Sequence, residues 1–392
     1  MFTRIRLTMA LMMVLLCLFG IAHAEMAEDI TGDCLFNGDK GRSLKDDSYR
    51  TVWVSSRYHD RFSIVVEAPE GKTIGGLLIR WDSWPLALTL ETRNEAGQWE
   101  MIGSCEGEFL AQYIPLDGLT SVRLMERETM GKVRLEISSM DVFTPGELPA
   151  DVQQWQKSSD HVDLMLIATH PDDEVLWFGG LLPTYAGEQR KEVLVVNTSY
   201  ARNDRRLELL DCLWTCGVRT YPVFMQYPDI CTGQRDLVLR RWNGEQLWAD
   251  MTALYRRYKP EVVVLHAADG ESGHGAHIVV SEAGRDAAAA AADPACYPES
   301  AQEYGTWDIP KVYVHKHDEN QIQMDWHQPL QAFDGLTAYQ VADLGFQCHK
   351  SQLGGEWFMQ VGGENDNSLF GLWRSQVGPD VEKTDLFENI QP

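Results

Sequence analysis

One stretch of the chain decides the fold of its larger part: Val162-Asp163-Leu164-Met165-Leu166-Ile167-Ala168-Thr169-His170-Pro171-Asp172-Asp173-Glu174. Its first half is short and mostly aliphatic, which indicates a strand buried on both faces. Because a proline pushes the residue before it toward extended geometry, His170 should continue the strand. The three acids then lie on the turn beyond the strand. The alternative is an acidic helix start, since Asp and Glu suit the first turn of a helix.

Strand and helix patterns alternate along the rest of the chain. The sequence predicts strands at residues 162–168, 191–197, 221–225, 261–266 and 311–315, and helices at 174–186, 205–216, 245–258, 278–292 and 337–348. This alternation is typical of an α/β domain with a Rossmann-like, mostly parallel sheet and helices on both faces. The ligand site of such a domain lies at the carboxyl ends of the strands, where the three acids fall.

The part of the chain before this domain is rich in short β-type runs separated by turn residues. Many short strands at this spacing predict an all-β sandwich or jelly roll. The stretch Thr144-Pro145-Gly146-Glu147-Leu148-Pro149 has the composition of a linker because its prolines and glycine interrupt regular structure. We therefore divide the chain into a β domain, residues 25–145, and an α/β domain, residues 146–392.

Residues 1–24 have the composition of a signal peptide. Arg4 and Arg6 give a positive start, an apolar run follows, and Ala22-His23-Ala24 matches a cleavage site before Glu25. The alternative, an N-terminal membrane anchor, fits less well because the apolar run is short. The sequence therefore predicts an exported protein (extracellular, cell-surface or periplasmic) with no stable membrane insertion once the signal is removed.

The chain is acidic, with a formal net charge of −24 at pH 7. Such a surface argues against binding of nucleic acids or anionic membranes through bulk electrostatics. It favours solubility and a neutral or cationic substrate.

The cysteines allow a limited set of predictions. Of the 8 cysteines, Cys17 lies in the predicted leader, and the odd number that remains leaves at least one thiol outside an intramolecular disulfide. Cys34 and Cys105 fall in the same N-terminal region, and we predict a disulfide between them. Cys212 and Cys216 share one face of a predicted helix, where two small buried residues are expected. Paired C-x₂-C spacing is missing, so cysteine is not expected to bind a metal.

A second polar segment follows the predicted strand 261–266: Ala268-Asp269-Gly270-Glu271-Ser272-Gly273-His274-Gly275-Ala276-His277. Its glycines allow the backbone to approach a ligand closely. His274 and His277 are three residues apart, and one helical turn brings residues at this spacing together. Because the carboxyl ends of parallel strands meet at one edge of the sheet, we expect both histidines to lie near the first motif.

The two motifs together supply the groups for metal-assisted hydrolysis of an amide. A catalytic zinc ion takes three protein ligands of N or O type and keeps one position open. One His and one Asp from the first motif and one His from the second would provide those ligands. The remaining Asp could act as general base on the attacking water, and the remaining His could stabilise the oxyanion or protonate the leaving amine. Another divalent ion, such as Fe²⁺, could take the same ligands.

Both motifs resemble the signature motifs of a known family. The residues Ala168-Thr169-His170-Pro171-Asp172-Asp173-Glu174 and His274-Gly275-Ala276-His277 are similar to those of PIG-L/LmbE zinc-dependent N-acetylglucosamine deacetylases. The resemblance implies that His170, Asp173 and His277 bind zinc, that Asp172 is the base and that His274 stabilises charge. Further matches are Arg205-Arg206-Leu207-Glu208, which leads to Cys216-Gly217-Val218, and His349-Lys350-Ser351-Gln352.

Two further residues are candidates for substrate contact. The resemblance implies such a contact for Arg205; the alternative is an ion pair with Glu208 on the surface of the same helix. Asp229 follows Tyr227-Pro228 and is a second candidate, with a turn-stabilising acid as the alternative. His315 and His317 alternate along a predicted strand and are assigned no metal.

The β domain resembles discoidin-like (coagulation factor 5/8 type C) galactose-binding domains in its order of features. These features are Trp53, the strand Ile79-Arg80-Trp81, the turn Ala96-Gly97-Gln98-Trp99 and a closing strand into Val142-Phe143. Such domains often bind sugars through loop aromatics, and Trp81, Trp84 and Trp99 could offer stacking faces. The alternative places at least two of these three tryptophans in the core.

The sequence therefore predicts an exported zinc hydrolase that removes an acetyl group from a glucosamine-type sugar or glycoconjugate. One alternative is a carbohydrate-binding or adhesion protein with a degenerate hydrolase domain. Another is a deacylase that acts on a non-sugar amide. The tail after Gly354, with Trp357, Phe370 and Trp373, is expected to pack against the α/β domain.

Overall fold

The computed structural model describes residues 25–38, 40–58, 61–128, 132–200, 202–355 and 358–391. The predicted signal peptide, residues 1–24, and Trp357 lie outside these residues. In the described part of the chain, none of the helices combines the length and apolar character needed to cross a bilayer.

The N-terminal part is all-β and contains two antiparallel sheets. Its strands are β1 (Leu35–Phe36), β2 (Trp53–Val54), β3 (Ser56–Tyr58), β4 (Arg61–Glu67), β5 (Ile74–Trp81), β6 (Leu88–Arg93), β7 (Trp99–Cys105), β8 (Ala111–Leu119), β9 (Ser121–Glu126) and β10 (Glu136–Phe143). One sheet has the order β1-β4-β9-β6-β7, with β3 also paired to β4, and the other has the order β2-β10-β5-β8. Apolar side chains from both sheets lie in one hydrophobic core, which agrees with the predicted all-β domain.

The predicted disulfide between Cys34 and Cys105 is wrong. Cys34 directly precedes β1 and Cys105 ends β7, and these strands form opposite edges of the same sheet. Four strand spacings of about 4.8 Å separate the two edges, whereas a disulfide needs Cα atoms within about 7 Å. Both thiols are free. Cys212 and Cys216 are buried free thiols, as predicted.

The C-terminal part alternates strands and helices. Its strands are β11 (Leu164–Ala168), β12 (Val193–Tyr200), β13 (Val223–Pro228), β14 (Val262–Leu265), β15 (Lys311–His315), β16 (Ile322–Gln323) and β17 (Leu369–Ser375). Its helices are α1 (Asp173–Leu176), α2 (Asn203–Thr215), α3 (Arg235–Trp242), α4 (Gly244–Tyr258), α5 (Gly275–Ala292), α6 (Pro298–Tyr304) and α7 (Ala338–Gln347), with short helical turns at Pro183–Glu188, Gly270–Gly273 and Gln331–Phe333. A further short turn, Arg42–Leu44, belongs to the N-terminal part.

The C-terminal sheet has the order β13-β12-β11-β14-β15-β17-β16. The first five of these strands are parallel, and the last two are antiparallel to their neighbours. In chain order the parallel strands are arranged third, second, first, fourth and fifth, so the direction of winding reverses between β11 and β14. A crevice opens at the carboxyl ends of the strands at such a reversal.

Helices cover both faces of this sheet, which explains why its central strands are apolar throughout. Leu164 and Leu166 share a core with side chains of α2 and α7. Met165 and Ile167, which point to the opposite face, share a second core with side chains of α4 and α5. Because side chains alternate along a strand, β11 contributes to two cores, one on each face of the sheet.

The predicted helix at 174–186 is shorter and interrupted. After α1 the backbone turns at Gly179, which has φ +53°. A Cβ atom at this position would lie 2.5 Å from Nε1 of Trp326, so the close approach of the indole requires glycine. Regular helical geometry resumes only as the short π-helical turn Pro183–Glu188.

The two halves of the chain are in direct contact. The Tyr49 hydroxyl donates to Asp211 Oδ2 at 2.7 Å, and the backbone N–H of Leu110 donates to the Tyr221 hydroxyl at 2.9 Å. The Phe109 ring stacks on the same tyrosine with 4.7 Å between ring centroids. These contacts join the β domain to α2 and to the segment that leads into β13.

The tail of the chain adds an unpredicted strand, β17, to the sheet. Phe370 on this strand is buried, as expected of a packed tail, whereas Trp373 is 42% exposed. Farther along, a buried ion pair joins Lys311 of β15 to Asp380. The Tyr313 hydroxyl donates to the same carboxylate at 2.7 Å.

We expect Asp380→Asn to lower the free energy of unfolding by about 3–5 kcal/mol, because it leaves the buried Lys311 ammonium without its counter-charge. Urea unfolding followed by tryptophan fluorescence measures this change. Asp308→Asn is the matched control, since Asp308 pairs with Arg374 at a half-exposed site, where loss of an ion pair costs about 1 kcal/mol or less. Equal losses for the two variants would contradict the structural role of the buried pair.

Candidate active site

The structure brings the two predicted motifs together at the crevice between β11 and β14. His170 follows β11, and α1 begins at Asp173. His274 is the residue before α5, and His277 lies in the first turn of that helix. Because β11 and β14 are neighbours in the sheet, the two segments emerge side by side from its carboxyl edge.

The three predicted metal ligands form a nearly equilateral triangle of donor atoms. His170 Nδ1 and His277 Nε2 are 3.1 Å apart. Asp173 Oδ2 is 3.4 Å from His170 Nδ1 and 3.3 Å from His277 Nε2. Donor atoms bound at about 2.0–2.1 Å around a tetrahedral zinc ion are themselves about 3.3 Å apart. The spacing of the triangle therefore fits three ligands of a zinc ion.

Electrostatics at the triangle also favour a cation. Burial alone would raise the pKa of Asp173, but the charge on His277 and hydrogen bonds from His170 and His277 hold this pKa well below its usual range. Burial would lower the pKa of His277, but the charges of Asp173 and Glu271 raise it to about 10. Positive charge is thus stabilised between the two side chains, at the place where a metal ion would sit.

His266 lies close enough to Asp173 and His277 to form an alternative group of ligands. Its Nε2, however, accepts a hydrogen bond from the Thr169 backbone N–H at 3.1 Å. Its Nδ1 lies 3.0 Å from Glu271 Oε2. Since the lone pair of His266 Nε2 is used by the Thr169 backbone N–H, it is not free to bind a metal, and we assign His266 a supporting role and keep His170 in the ligand triangle.

Glu271 is the hub that supports the site, and the sequence analysis gave it no role. Its Oε2 accepts from Nδ1 of both His266 and His277, at 3.0 and 2.9 Å. Its Oε1 accepts from the Ala267 N–H at 2.7 Å and from His315 Nδ1 at 2.9 Å. Four donors fill the acceptor capacity of one carboxylate. A carboxylate on the distal nitrogen of a metal-binding histidine fixes its tautomer and orientation.

The Glu271 carboxylate also accounts for the buried position of His315, to which the sequence analysis assigned no metal. The structure places it outside the triangle but fully buried, with Nε2 3.0 Å from the Asp366 carbonyl oxygen. Both ring nitrogens of His315 therefore lie within hydrogen-bond distance of an oxygen atom. Burial would raise the pKa of Glu271, but the charge of His266 and hydrogen bonds from His266, His277 and His315 hold it well below its usual range. His317 lies apart, packed against Trp373.

Asp172 stands beside the triangle in an uncommon backbone conformation, with φ 121°. Its N–H donates to Glu174 Oε2 at 2.9 Å, and its Oδ2 lies 3.3 Å from Arg205 Nη2. Burial disfavours the carboxylate, and the negative charge of Asp173 adds to this effect, so that the pKa of Asp172 rises to about 7. A group with such a pKa is suited to accept and return a proton near neutral pH.

His274 faces the triangle from the other side. Its ring centroid is 4.9 Å from that of His170 and 4.4 Å from that of His277. Burial and the positive charge of His277 lower the pKa of His274 to about 3, so its imidazole is neutral at pH 7. Its Nδ1 has no hydrogen-bond partner among the described residues. A neutral ring with a free nitrogen can provide one hydrogen bond to a bound substrate.

Arg205 and Asp229 also reach the site. Arg205 Nη2 donates to the Pro171 carbonyl at 2.6 Å, and its Nη1 lies 3.4 Å from Asp229 Oδ2. Asp229 Oδ1 is 3.5 Å from His170 Nε2. The alternative ion pair of Arg205 with Glu208 is not formed, because Glu208 accepts instead from the N–H and hydroxyl of Ser351.

The matching motif at residues 349–352 contacts the site through Glu174. His349 Nε2 is 2.6 Å from Glu174 Oε1, and the other oxygen of Glu174 accepts from the backbone of Asp172. His349 is thus connected to Asp172 through Glu174. Gln352 lines the cavity in front of the triangle.

This cavity has a volume of about 330 Å³ and is open to solvent. Leu176 and Trp177 supply an apolar part of the cavity wall, and most of the other lining residues are polar. The lining residues are His170, Asp172, Asp173, Leu176, Trp177, Arg205, Asp229, Cys231, Glu271, His274, His277 and Gln352. Trp177 Nε1 also donates to Asp173 Oδ1 at 3.0 Å. The volume lies at the lower end of the range for small-molecule sites, about 300–1,000 Å³.

Comparison with known proteins gives matches mainly to this domain. Residues 165–288 match the family model described as PIG-L: GlcNAc-PI de-N-acetylase. A relative, 1D-myo-inositol 2-acetamido-2-deoxy-alpha-D-glucopyranoside deacetylase 1 of Catenulispora acidiphila, is 28% identical over 178 residues, which are 38% of this chain and 54% of the relative. The chain thus spans about half the length of this curated relative.

Two solved structures are similar in parts. N,N'-diacetylchitobiose deacetylase from Pyrococcus horikoshii has a TM-score of 0.36 and 16% identity, over 50% of this chain and 73% of that one. The family 32 CBM from C. perfringens NanJ has a TM-score of 0.23 and 13% identity, over 30% of this chain and 98% of that one. At these scores neither likeness bears on function, and the discoidin-like nature of the β domain stays a prediction. The match to the PIG-L family model covers residues 165–288, which contain both predicted motifs.

Proposed function

We propose that the protein is a metal-dependent hydrolase that removes the N-acetyl group from a glucosamine-type sugar. The observation that carries this proposal is the donor triangle of His170, Asp173 and His277, which faces a sugar-sized cavity beside Asp172. The family match to a GlcNAc-PI de-N-acetylase over residues 165–288 supports the reaction class.

A zinc ion held by His170, Asp173 and His277 would supply Lewis-acid polarisation of the amide carbonyl. Another divalent ion, such as Fe²⁺, suits the same nitrogen and oxygen ligands. Glu271 holds His277 in the orientation that this ligand set needs.

The side chains around the triangle account for the proton movements of amide hydrolysis. The Asp172 carboxylate takes a proton from the attacking water and returns it to the nitrogen of the leaving sugar amine. Arg205 orients this carboxylate. His274 is neutral at pH 7, so it acts as a hydrogen-bond donor to the oxyanion rather than as the acid. One proton of the water then arrives on the amine, and the other leaves with acetic acid, which ionises to acetate in solution.

Two alternatives keep part of this proposal. A non-sugar amide could enter the same cavity, because the chemistry does not depend on the sugar ring. A carbohydrate-binding protein with a degenerate hydrolase domain is less well supported, since the donor triangle is complete and Asp172 lies next to it.

We expect the purified full-length protein to bind one equivalent of zinc and to release acetate from N-acetylglucosamine-containing sugars. Removal of the metal by a chelator should reduce acetate release to background, and added zinc should restore it. Metal analysis and an enzymatic acetate assay measure both quantities, with circular dichroism as the control that the stripped protein keeps its fold. Equal turnover without metal would contradict the proposal, and sugar binding without turnover would favour the carbohydrate-binding alternative.

Export is a further proposal, and it rests on residues 1–24 alone. Fractionation of producing cells, followed by N-terminal sequencing of the mature protein, tests it. A mature chain that begins at Glu25 is the expected result.

A further inference from the structure

A stack of three side chains lies where the β domain meets the α/β domain. The guanidinium carbon of Arg206 lies 5.2 Å from the ring centroid of Trp84 and 4.8 Å from that of Tyr200. Trp84 belongs to the loop between β5 and β6, whereas Tyr200 ends β12 and Arg206 is in α2. Both domains therefore contribute to one aromatic surface.

The two rings are exposed although the arginine that holds them is not. Trp84 is 53% exposed and Tyr200 is 43% exposed, while Arg206 is only 3% exposed. Arg206 makes no ion pair with an acid among the described residues; its Nη2 donates to Asn203 Oδ1, and its Nε and Nη1 are buried without a hydrogen-bond partner. A guanidinium that is buried in this way is stabilised by cation–π contact with both rings. It holds the rings in fixed orientations, and half of their surface remains open to a ligand.

This aromatic surface, Trp84 with Tyr200, adjoins the active-site cavity. Arg206 follows Arg205, which lines that cavity. Tyr200 pairs in the sheet with Pro228, and the next residue, Asp229, lines the cavity as well. The surface is therefore connected to the cavity through residues that are neighbours in the chain of two residues that line it.

A second cavity, of about 430 Å³, lies beside the same surface and has polar walls from both domains. Arg50 and Asp82 come from the β domain, and Asp82 is two residues before Trp84. Arg202, Asn203 and Asp204 come from the α/β domain. A pyranose presents C–H groups on its faces and hydroxyls at its edge. Aromatic faces next to charged hydrogen-bond donors and acceptors suit such a ligand.

We propose that Trp84 and Tyr200 form a second sugar subsite, so that the substrate is an oligosaccharide or glycan rather than a free monosaccharide. This inference rests on the proposed deacetylase function and extends it. One sugar carries its acetamide into the donor triangle, and a neighbouring sugar stacks on the aromatic surface. The β domain then contributes directly to substrate selection.

The test compares kcat/KM for triacetylchitotriose with kcat/KM for N-acetylglucosamine in the full-length, zinc-loaded protein. Trp84→Ala is expected to lower the ratio of these two values about 10-fold, as loss of one aromatic stacking contact would. Tyr200→Ala should lower the ratio similarly, and Trp84→Phe should restore most of it. The control is Trp373→Ala, because Trp373 is also exposed and stacked on an arginine, Arg285, but lies on β17, four strands away from β12. That control should leave the ratio unchanged.

An unchanged ratio in Trp84→Ala would overturn the subsite, and an equal loss on both sugars would assign Trp84 a structural role instead. If the wild-type protein releases acetate from neither sugar, the proposed function fails. The subsite is then judged by calorimetric binding of triacetylchitotriose to the wild-type protein and to Trp84→Ala. Weaker binding by the variant would support the subsite, and equal or absent binding would overturn it.

Discussion

Asp172→Asn is expected to reduce kcat for acetate release by about 10²–10⁴-fold, the usual contribution of a positioned general base. The amide has the shape of the carboxylate and can still face Arg205, but it cannot accept the proton of the attacking water. Because Asp172 supplies none of the three donor atoms of the triangle, the Asp172→Asn variant should keep its zinc. Steady-state kinetics and metal analysis of the same preparation measure the two effects.

Asp229→Asn is the matched control for this prediction. Asp229 also lines the cavity and contacts Arg205, but no proton transfer is assigned to it. We expect its main effect in KM, with kcat reduced far less than in Asp172→Asn. A loss of less than about 10-fold in kcat for Asp172→Asn, below the usual range for a general base, would show that another group is the base.

Glu271→Gln is expected to have the largest effect on the metal and on the fold together. The carboxylate accepts four hydrogen bonds, whereas an amide replaces one acceptor oxygen with an NH₂ group that meets other donors. Loss of a carboxylate that supports a metal-binding histidine typically lowers metal affinity about 10–100-fold. Removal of the partner of buried charged groups costs about 3–5 kcal/mol of folding free energy.

Competition with a chelator gives the zinc affinity of Glu271→Gln, and urea unfolding of the metal-free protein gives its stability. Glu282→Gln serves as the control, since Glu282 pairs with the half-exposed Arg235 outside the cavity. Its stability should change by about 1 kcal/mol or less, with zinc affinity unaltered. If Glu271→Gln bound zinc as tightly as the wild-type protein, Glu271 would not be the residue that orients His277.

The sequence was most informative where local rules decide the structure. An aliphatic strand that ends in His-Pro and three acids predicts acids at the carboxyl end of a buried strand, and the structure places Asp173 and Glu174 there, in the first turn of α1. The spacing of His274 and His277 needs one helical turn, and α5 begins at that point. The architecture then follows from the alternation of strands and helices, because parallel strands bring their carboxyl ends together.

What the sequence could not supply depends on distant parts of the chain. Glu271 and His315 acquire their roles from each other and from the order of the strands, which neither local segment reveals. The disulfide prediction failed for the same reason, since membership of one domain does not indicate which strands are neighbours. His266 is a local signal for the site, since it ends the predicted strand 261–266 at the same edge of the sheet as His170 and contacts Glu271.

The backbone at Asp172 also bears on how the protein could be engineered. A residue other than glycine with φ 121° carries strain of about 1–3 kcal/mol. Here the strained residue is the one that the proposed reaction needs most. Laboratory evolution for heat resistance alone would therefore favour glycine at this position, and the most thermostable descendants would be the first to become inactive.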